Sequence, residues 1–430
     1  MLMKYVLKNG RVISGRKNAE VLDCNVYIQN GRITRIANDD DFDGWDVVDL
    51  NHAYVLPGLI NMHAHLFGTG RPSKVLGGGG MKDQILAAAS TALGKKVLDS
   101  VVYSNVLNAL NAGTTTVRGV GDFYYSDVRT RDAIKNGKLG PRLLVSGPAI
   151  TCPTGHGDGT FAVVGSTPDD FRRLAQNNID HHVDLINICV TGGVMDAKKK
   201  GEPGVTKMTL EQTKAICDYA HEKGYIVASH TESTKGIQVA LDGGVDTIEH
   251  GAEMTPEQIQ EFKDHHAALT CTLSPALPLA KLPPEKTRLN EMCTYNANYL
   301  FEEMVRGVRQ ALEAGIPVGL GTDASCPYVT QYNMYRELIY LNKLCGVSPA
   351  DCIYHATLGN AEIMKIDNLT GSVEEGKSAD LMIVKNNPLD SLANLKQPCM
   401  VIMQGRIIND PKVKRNEAID KELDLITAAL

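Results

Sequence analysis

An apolar run that ends in two histidines stands near the start of the chain: Leu56-Pro57-Gly58-Leu59-Ile60-Asn61-Met62-His63-Ala64-His65. In a β-strand, every second side chain points to the same face, so His63 and His65 can reach one metal ion together. A His-X-His pair alone is weak evidence, because one packed histidine and one surface histidine would give the same pattern. The rest of the chain decides between these two interpretations.

From this run onward, the sequence alternates between strands and amphipathic helices. Helical segments such as 210–223 and 302–314 are each followed by glycine, which favours the end of a helix. Strands rich in Val, Ile and Leu that alternate with helices are typical of an α/β protein with a covered parallel sheet, and eight such units predict a TIM (β/α)8 barrel. A doubly wound open sheet is the alternative, because one miscounted strand would change the interpretation. The predicted strands are 55–63, 115–120, 143–147, 184–190, 225–230, 247–250, 269–274 and 318–323.

The two ends of the chain have the alternating apolar and polar pattern of short antiparallel strands. Residues 1–55 alternate between apolar and polar side chains and turn at Asn-Gly pairs such as Asn30-Gly31, which predict hairpins. Residues 371–407 show the same alternation. Neither end is long enough to bury a good core alone, so we expect both to form one small β-sandwich. The predicted parts are 1–55 for the N-terminal part of the sandwich, 56–365 for the barrel, and 366–430 for the C-terminal part and tail.

Composition excludes several classes of function. The formal net charge of −6 and the absence of a basic run argue against a nucleic-acid partner. We expect no membrane association, because no apolar run reaches transmembrane length and the N-terminus lacks the pattern of a secretory signal. Ten cysteines without Cys-X-X-Cys spacing predict free thiols in a reducing compartment, and therefore a cytoplasmic protein. The expected partners are a small-molecule substrate and copies of the chain itself.

Polar residues that can bind a metal fall at the C-terminal ends of the predicted strands, where TIM barrels carry their chemistry. Any one of them has another explanation, since His250 can be a hydrogen-bonded core histidine and Asp323 a turn former. A random scatter of twelve histidines would rarely place so many on one rim, and the joint pattern predicts a metal site. The residues are His63 and His65 on the first strand, Asn187 on the fourth, His230 on the fifth, His250 on the sixth and Asp323 on the eighth.

These residues lie in motifs that resemble the amidohydrolase superfamily, and specifically its branch of imidazolonepropionase-like hydrolases and metal-dependent, prolidase-like dipeptidases. The resemblance extends over almost the whole chain. It implies a barrel with both chain ends in a sandwich, and assembly into a homo-oligomer. The matching motifs are PGLINMHAHL (57–66), AGTTTVR (112–118), ASH (228–230), IEHG (248–251), GLGTD (319–323), HATLGNA (355–361) and TGSVEEGKSADL (370–381).

The resemblance also implies a ligand set and a reaction. His63, His65, His230 and Asp323 would bind one catalytic ion, and His250 would bind a second ion or hydrogen-bond the substrate. Zinc suits imidazole and carboxylate ligands and lowers the pKa of bound water to about 7. Asp323 would take the proton of that water as general base and pass it to the leaving nitrogen. The implied reaction is cleavage of a C–N bond in a small N-acyl amino acid, dipeptide-like compound or cyclic amide.

Departures from the dipeptidase pattern leave the metal count and the substrate open. Asn187 stands where such dipeptidases carry a carboxylated lysine that bridges two ions, and a neutral amide favours one zinc per chain over two. Glu232 stands where they place a tyrosine that holds the substrate carboxylate; it resembles the acidic residue that faces the substrate in imidazolonepropionase-like members. His156 is a predicted substrate contact or a loop-packing residue. Arg118 is predicted to bind an anionic substrate group or to form a structural ion pair.

Two other functions stay open at this point. Deamination of an amino-substituted heterocycle uses the same attack, but superfamily deaminases typically place a glutamate on the fifth strand or three residues after its histidine, where this chain has Ser233. An inactive barrel that serves as a scaffold subunit would have no need to keep His63, His65, His230 and Asp323 together.

A glycine run at 77–80 follows the first predicted barrel strand. It lacks the Lys-Ser/Thr of a phosphate-binding loop and does not open a helix directly after a strand. We expect it to form a flap over the mouth of the metal site.

Overall fold

The structure is a computed structural model that describes residues 4–72 and 82–430. The predicted glycine flap at 77–80 lies outside these residues. The strands are β1 (Lys4–Ile13), β2 (Val21–Gln29), β3 (Arg32–Ala37), β4 (Asp46–Asp49), β5 (Tyr54–Pro57), β6 (Leu59–Ala64), β7 (Thr114–Gly119), β8 (Arg142–Val145), β9 (Ala149–Thr151), β10 (Ala162–Val164), β11 (Ile186–Cys189), β12 (Val227–Thr231), β13 (Thr247–His250), β14 (Ala268–Cys271), β15 (Val318–Leu320), β16 (Leu381–Val384), β17 (Met400–Met403) and β18 (Arg406–Asn409).

Several helices begin or end at local sequence signals, although the helix predicted over 302–314 begins earlier, at Glu291. α4, α5 and α7 each start with a threonine capping box, at Thr167, Thr209 and Thr255, and α10 ends at Gly315 in the left-handed conformation. The helices are α1 (Lys82–Ser90), α2 (Ala92–Asn111), α3 (Ser126–Lys135), α4 (Pro168–Asp180), α5 (Leu210–Glu222), α6 (Thr234–Asp242), α7 (Pro256–Asp264), α8 (Leu273–Lys281), α9 (Pro284–Thr287), α10 (Glu291–Ala314), α11 (Met334–Cys345), α12 (Pro349–His355), α13 (Leu358–Ile363) and α14 (Glu417–Ala429), with a 3-10 turn at Leu392–Lys396.

The central part of the chain has a TIM-barrel-like α/β fold. Each of the eight predicted strands corresponds to one in the structure, in chain order β6, β7, β8, β11, β12, β13, β14 and β15. They lie in two parallel sheets, β6-β7-β8 and β10-β9-β11-β12-β13-β14-β15. Between these sheets, His63 O accepts hydrogen bonds from the backbone N–H groups of Thr322 (3.1 Å) and Asp323 (2.9 Å). The strand ends that were predicted to share a rim therefore lie beside one another.

Both ends of the chain build the second domain. Its sheet has the order β18-β17-β16-β5-β1-β2-β3, with β4 also paired to β1. β1 pairs with β4 through residues 5–8 and with β5 through residues 11–12. All of these strands are hydrogen-bonded in one continuous sheet, since the long strand β1 pairs with β4 along one part of its length and with β5 along another. Its apolar core takes residues from both chain ends, among them Leu7, Val26, Val55, Leu381 and Ile402.

Gly58 separates the second domain from the barrel-like part. The sequence predicts one strand over 55–63, but β5 belongs to the end sheet and β6 to the barrel-like part. A Cβ atom at Gly58 would lie 2.1 Å from Thr115 Cγ2, so no larger residue fits there. The Gly58 N–H donates to Asp380 O (2.9 Å), which ties the junction to the C-terminal segment. His63 follows in β6, directly after this junction.

The C-terminal helix α14 packs on the barrel-like part. Its Asp424 accepts a hydrogen bond from Arg336 of α11 at 2.7 Å. Its Leu423 lies in the same large apolar cluster as Leu338 of α11. The C-terminal segment therefore serves both parts of the molecule, since β16 to β18 complete the end sheet and α14 covers the barrel-like part.

The structure bears on two expectations from composition, free cysteines and the absence of a membrane-spanning segment. All ten cysteines have free thiols, as the lack of paired spacing predicts. Among the helices of residues 4–72 and 82–430, none has both the length and the apolar character needed to cross a membrane.

Candidate active site

A cavity of about 260 Å³ opens at the C-terminal ends of the barrel-like strands. All six predicted metal-site residues line it, together with the predicted substrate contacts His156 and Glu232. The six metal-site residues are His63 and His65 at the end of β6, Asn187 in β11, His230 in β12, His250 at the end of β13 and Asp323 after β15.

Asp323 lies between the two histidines of the opening motif. Its Oδ1 is 3.5 Å from His63 Nε2 and 3.4 Å from His65 Nε2. Asp323 (φ 55°) and His250 (φ 70°) both adopt a left-handed backbone conformation, which costs on the order of 1–3 kcal/mol for such residues. Strain of this kind is retained where a side chain must be aimed, and here it aims two candidate ligands into one cavity.

The two histidines each use Nδ1 for a fixed hydrogen bond. His65 Nδ1 donates to Gly121 O (2.7 Å) and His63 Nδ1 donates to Glu249 Oε2 (2.8 Å). A carbonyl and a carboxylate can only accept, so Nδ1 carries a proton in both rings, and Nε2, which faces Asp323, is the nitrogen that can bind a metal ion. This is the arrangement that metal-binding histidines adopt.

Glu249 holds His63 from inside the barrel-like sheet. Its Oε1 accepts hydrogen bonds from Arg118 Nη2 and Thr247 Oγ1, both at 2.6 Å. Burial alone would raise the pKa of Glu249, but the charge of Arg118 and the bond to His63 lower it to about 2. Arg118 is fully buried and also donates to Met62 O (2.5 Å). The prediction that Arg118 binds an anionic substrate group is therefore corrected: it is absent from the cavity lining of the described residues and forms the structural ion pair that was its alternative.

His156 stacks on His230 in the cavity lining. The ring centroids are 4.0 Å apart and the planes differ by 3°. His156 Nδ1 pairs with Asp196 Oδ2 (2.5 Å), which also accepts the Gly193 N–H (2.9 Å). His230 Nε2 donates to Gly192 O (3.3 Å), which leaves its Nδ1 lone pair free. His156 thus lines the cavity, as predicted for a substrate contact, and also packs against a candidate ligand.

Three buried oxygen atoms in the cavity have no hydrogen-bond partner among the described residues: Asn187 Oδ1, Glu232 Oε2 and Asp323 Oδ1. The Asn187 amide is fixed, because its Nδ2 donates to Val120 O. The Glu232 backbone is fixed as well, because its N–H donates to Thr191 Oγ1 (3.0 Å). A buried acceptor without a donor is costly, so these atoms point to a ligand, cation or water in the cavity.

Two of the candidate ligands, His65 and His250, are neutral imidazoles, and the carboxylates of Asp323 and Glu249 attract positive charge. Burial lowers the pKa of His65 to about 4 and that of His250 to about 3, so their lone pairs are free near neutral pH. Burial would also lower the pKa of His63, but the nearby carboxylates of Asp323 and Glu249 raise it to about 9. Burial would raise the pKa of Asp323, yet the close contact with His63 and its positive charge hold that pKa well below its ordinary value. These properties fit a bound cation.

Two groups of three side chains can hold a metal ion, and in each group the ligand atoms lie within 4.8 Å of one another. Imidazole and carboxylate donors of this kind suit zinc and similar divalent ions. The predicted set of His63, His65, His230 and Asp323 does not form one such group, and His250 belongs to both groups. The groups are His63, His250 and Asp323, and His230, Glu232 and His250.

Part of the cavity lining is apolar. The Phe161 ring lies 4.5 Å from the His65 ring, and Phe67 packs on both Phe161 and Phe123. Leu279 of α8 and Leu300 of α10 also belong to this lining. The cavity therefore combines a polar floor that can bind a metal with space for an apolar group.

Known proteins match the chain in sequence and in structure. The model of the Amidohydrolase family matches residues 54–408. The structure of a candidate prolidase from Bifidobacterium longum is 36% identical, with a TM-score of 0.86 over 99% of both chains. Ochratoxinase from Aspergillus niger is 24% identical over 317 residues, which cover 67% of this chain but only 64% of ochratoxinase. Imidazolonepropionase from Kosmotoga olearia is 21% identical over 430 residues, which cover 93% of each chain.

The family match contains the strands that carry every candidate ligand, from β6 to the segment after β15. The relatives include both kinds of protein that the motifs resemble, a candidate prolidase and an imidazolonepropionase. The predicted superfamily is confirmed by these matches: the chain belongs to the amidohydrolase family.

Proposed function

We propose that this chain is a metal-dependent hydrolase that cleaves the C–N bond of a small amide. The observation that carries the proposal is the placement of Asp323 Oδ1 between His63 Nε2 and His65 Nε2 on the floor of a cavity. The candidate substrates are N-acyl amino acids, dipeptide-like compounds and cyclic amides. The relatives support amide hydrolysis as a class and leave the choice among these substrates open.

The proposed cofactor is zinc, with one ion per chain favoured over two. His63, His65, His230 and Asp323 would hold it. Asn187 is neutral and would offer one weak oxygen ligand or orient a water, because its Oδ1 is free and its Nδ2 is fixed on Val120 O. A bound zinc ion supplies an acidified water and polarises the scissile carbonyl.

The remaining steps fall to the side chains of this protein. Asp323 accepts the proton of the attacking water and delivers it to the leaving nitrogen, as general base and then general acid. The His250 ring is fixed through Nδ1 on Thr272 Oγ1 (2.6 Å), so its other nitrogen can hydrogen-bond the substrate carbonyl or hold a second ion. His156 and Glu232 contact the substrate from the β12 side of the cavity.

Deamination receives less support from the structure. Ser233, which occupies the position of the deaminase glutamate, accepts a hydrogen bond from Gly236 N and caps α6. A residue engaged in a helix cap is not a proton shuttle. Release of ammonia from an amino-heterocycle without amide cleavage would favour deamination over our proposal.

The organisation of the chain is part of the proposal. We propose that β6 to β15 close into a complete eight-stranded barrel, supported by the hydrogen bonds to His63 O and by the Asp184 N–H to Val145 O bond (2.7 Å) between β8 and β11. The proposed parts stay 1–55, 56–365 and 366–430, although β5 pairs within the end sheet. A cytoplasmic location and a homo-oligomer remain predictions.

Metal content and activity together test the proposed function. Elemental analysis of protein purified without added metal should find about one zinc per chain, rising in Asn187→Lys. Asp323→Asn should lower amide hydrolysis by about 10²–10⁴-fold, the usual contribution of a general acid–base group, whereas Asp158→Asn at the exposed mouth of the cavity should not. Two tightly bound ions in the wild type would contradict the role given to Asn187. A protein that binds no metal after reconstitution and cleaves no amide would be the inactive scaffold.

A further inference from the structure

Three phenylalanine rings form a continuous aromatic surface in the lining of the cavity. The Phe67 ring packs edge-on against Phe123, with 4.7 Å between the centroids, and lies 6.1 Å from Phe161 with 27° between the two planes. All three residues line the cavity and are only half-buried, so their rings are accessible to what the cavity binds. The chain has only seven phenylalanines, and three of them meet here. We call this surface the phenylalanine platform.

Phe161 joins the phenylalanine platform to two of the site histidines. Its ring centroid lies 4.5 Å from that of His65 and 5.5 Å from that of His156. Two glycines make room for the ring, because a Cβ atom at Gly121 or at Gly157 would lie 2.9 Å from a carbon of the Phe161 ring. Close-packed protein interiors do not tolerate contacts this short. The backbone at both glycines therefore leaves the space that this ring fills.

The phenylalanine platform lies close to the place where the amide bond would be cleaved. His65, which contacts Phe161, has its Nε2 atom 3.4 Å from Oδ1 of Asp323, the proposed general base. Aromatic rings in contact have centroids about 4.5–7 Å apart. A connection of about one or two bonds therefore suffices between a ring that rests on Phe161 and an amide group that reaches Asp323.

We infer that the phenylalanine platform is a subsite for an aromatic ring, and that the substrates are small amides with such a ring about one or two bonds from the scissile bond. Aromatic rings attract one another in offset-stacked and edge-on arrangements, beyond the gain from burying their apolar area. The inference covers a ring on either the acyl or the amine half of the amide. It rests on the proposed function and narrows its substrates.

Three related amides test this inference. N-benzylacetamide and N-methyl-2-phenylacetamide are isomers that carry the phenyl ring on the amine half and on the acyl half, and N-methylacetamide lacks the ring. Water added across each amide bond gives a carboxylic acid and an amine. With zinc-loaded wild-type protein, kcat/KM for the better isomer should exceed that for N-methylacetamide by about 10–100-fold. Replacing its phenyl ring by the puckered cyclohexyl ring should lower kcat/KM by about 2–10-fold.

Variants of two platform residues connect this preference to the structure. The advantage of the better isomer over N-methylacetamide should fall by about 10-fold in Phe161→Ala and by about 3-fold in Phe123→Ala, with unchanged zinc content. Phe123 packs on Phe67 and not on a candidate ligand, so its variant tests the platform without disturbing the metal site. The matched control is Phe42→Ala, a half-buried phenylalanine that packs near Tyr27 in the end sheet, and this variant should leave the advantage unchanged.

Calorimetric titration of the same compounds separates this inference from the proposed function. If no compound is hydrolysed but the better phenyl isomer binds at least about 10-fold more tightly than N-methylacetamide, and Phe161→Ala removes the difference, the aromatic subsite stands and amide hydrolysis fails. Hydrolysis of N-methylacetamide with the same kcat/KM as the isomers would overturn the subsite and leave the hydrolase intact. An advantage that both variants retain, equal kcat/KM for the cyclohexyl compound, or a failure of all compounds to bind would also overturn it.

Discussion

The two sides of the cavity differ in how far the protein itself satisfies their polar groups. On the β6 side, His63 and His65 are held by Glu249 and by the Gly121 carbonyl. On the β11 and β12 side, Asn187 Oδ1 and Glu232 Oε2 have no partner among the described residues. The difference indicates that the first side is built in advance to hold an ion, while the second is completed by what the cavity binds.

We expect the largest effect from removing Glu249, which holds the His63 ring on the β6 side. Glu249→Ala leaves Arg118 buried without its carboxylate, which typically lowers the free energy of unfolding by about 3–5 kcal/mol. It also frees the His63 ring, so zinc affinity should fall by about 10–100-fold. Urea unfolding and competition with a chromophoric chelator measure the two effects.

The double variant Arg118→Met with Glu249→Leu separates stability from metal binding. Removing both charges should restore most of the stability, because neither is left unpaired, but not the zinc affinity. Wild-type zinc affinity in Glu249→Ala would show that the β6 side does not depend on this support.

A second test concerns Glu337, a buried acid that holds the helix behind the apolar part of the cavity lining. Glu337 of α11 accepts hydrogen bonds from Leu273 N and from Ser274 N (3.0 Å) at the start of α8, the helix that carries Leu279 into the cavity wall. Burial raises the pKa of Glu337 to about 7, although the hydrogen bonds from Ser274 and Leu273 oppose this shift. The folded protein therefore holds this proton more tightly than the unfolded chain does.

The sign of the pH effect follows from that raised pKa. The contribution of Glu337 to stability is complete below its ordinary pKa, declines as pH rises through about 7 and is level above it. Between pH 5 and pH 8, the unfolding free energy of the wild type relative to Glu337→Gln should fall by on the order of 3 kcal/mol. Urea unfolding at several pH values measures this difference, with the exposed Glu285→Gln as control. A difference independent of pH would show that Glu337 does not titrate in this range.

The smallest expected effect lies on the substrate side. Gly193→Ala brings a Cβ atom within 3.1 Å of His156 Nδ1, so the ring and Glu232 must move by a few tenths of an ångström. We expect kcat/KM to fall by roughly 3–10-fold with unchanged zinc content, because a 1 Å misplacement costs about 10²-fold. Gly192→Ala is the matched control, since its Cβ atom would meet its neighbours at 3.5 Å or more. A loss of zinc in Gly193→Ala would contradict the assignment of ion binding to the β6 side and substrate binding to the β11 and β12 side.

Local patterns in the sequence account for most of the fold and for the rim of candidate ligands. Strand periodicity predicts β6 and the placement of His63, and capping residues predict helix ends such as Gly315. The break at Gly58 could not be predicted, because it arises from the close approach of Thr115, a contact between distant segments.

The support of His63 escaped sequence analysis for a related reason. Glu249 offered one signal, a charged residue in an otherwise buried strand that needs a partner. Its partner Arg118 lies 131 positions away, and a single sequence does not reveal that pairing. The sequence alone allows Arg118 either to bind an anionic substrate group or to form an ion pair, because its charge is compatible with both.

The junction at Gly58 has a consequence for the biosynthesis of the protein. β5 pairs with β16 through Pro57 and Leu381, so most of the chain must leave the ribosome before β5 gains this neighbour. Until then, one edge of β5 exposes unpaired backbone groups, which are sites of misassembly in nascent chains. β1 can pair with the other edge of β5 early in translation, but the junction that leads to His63 is joined to the C-terminal strands of the end sheet only late.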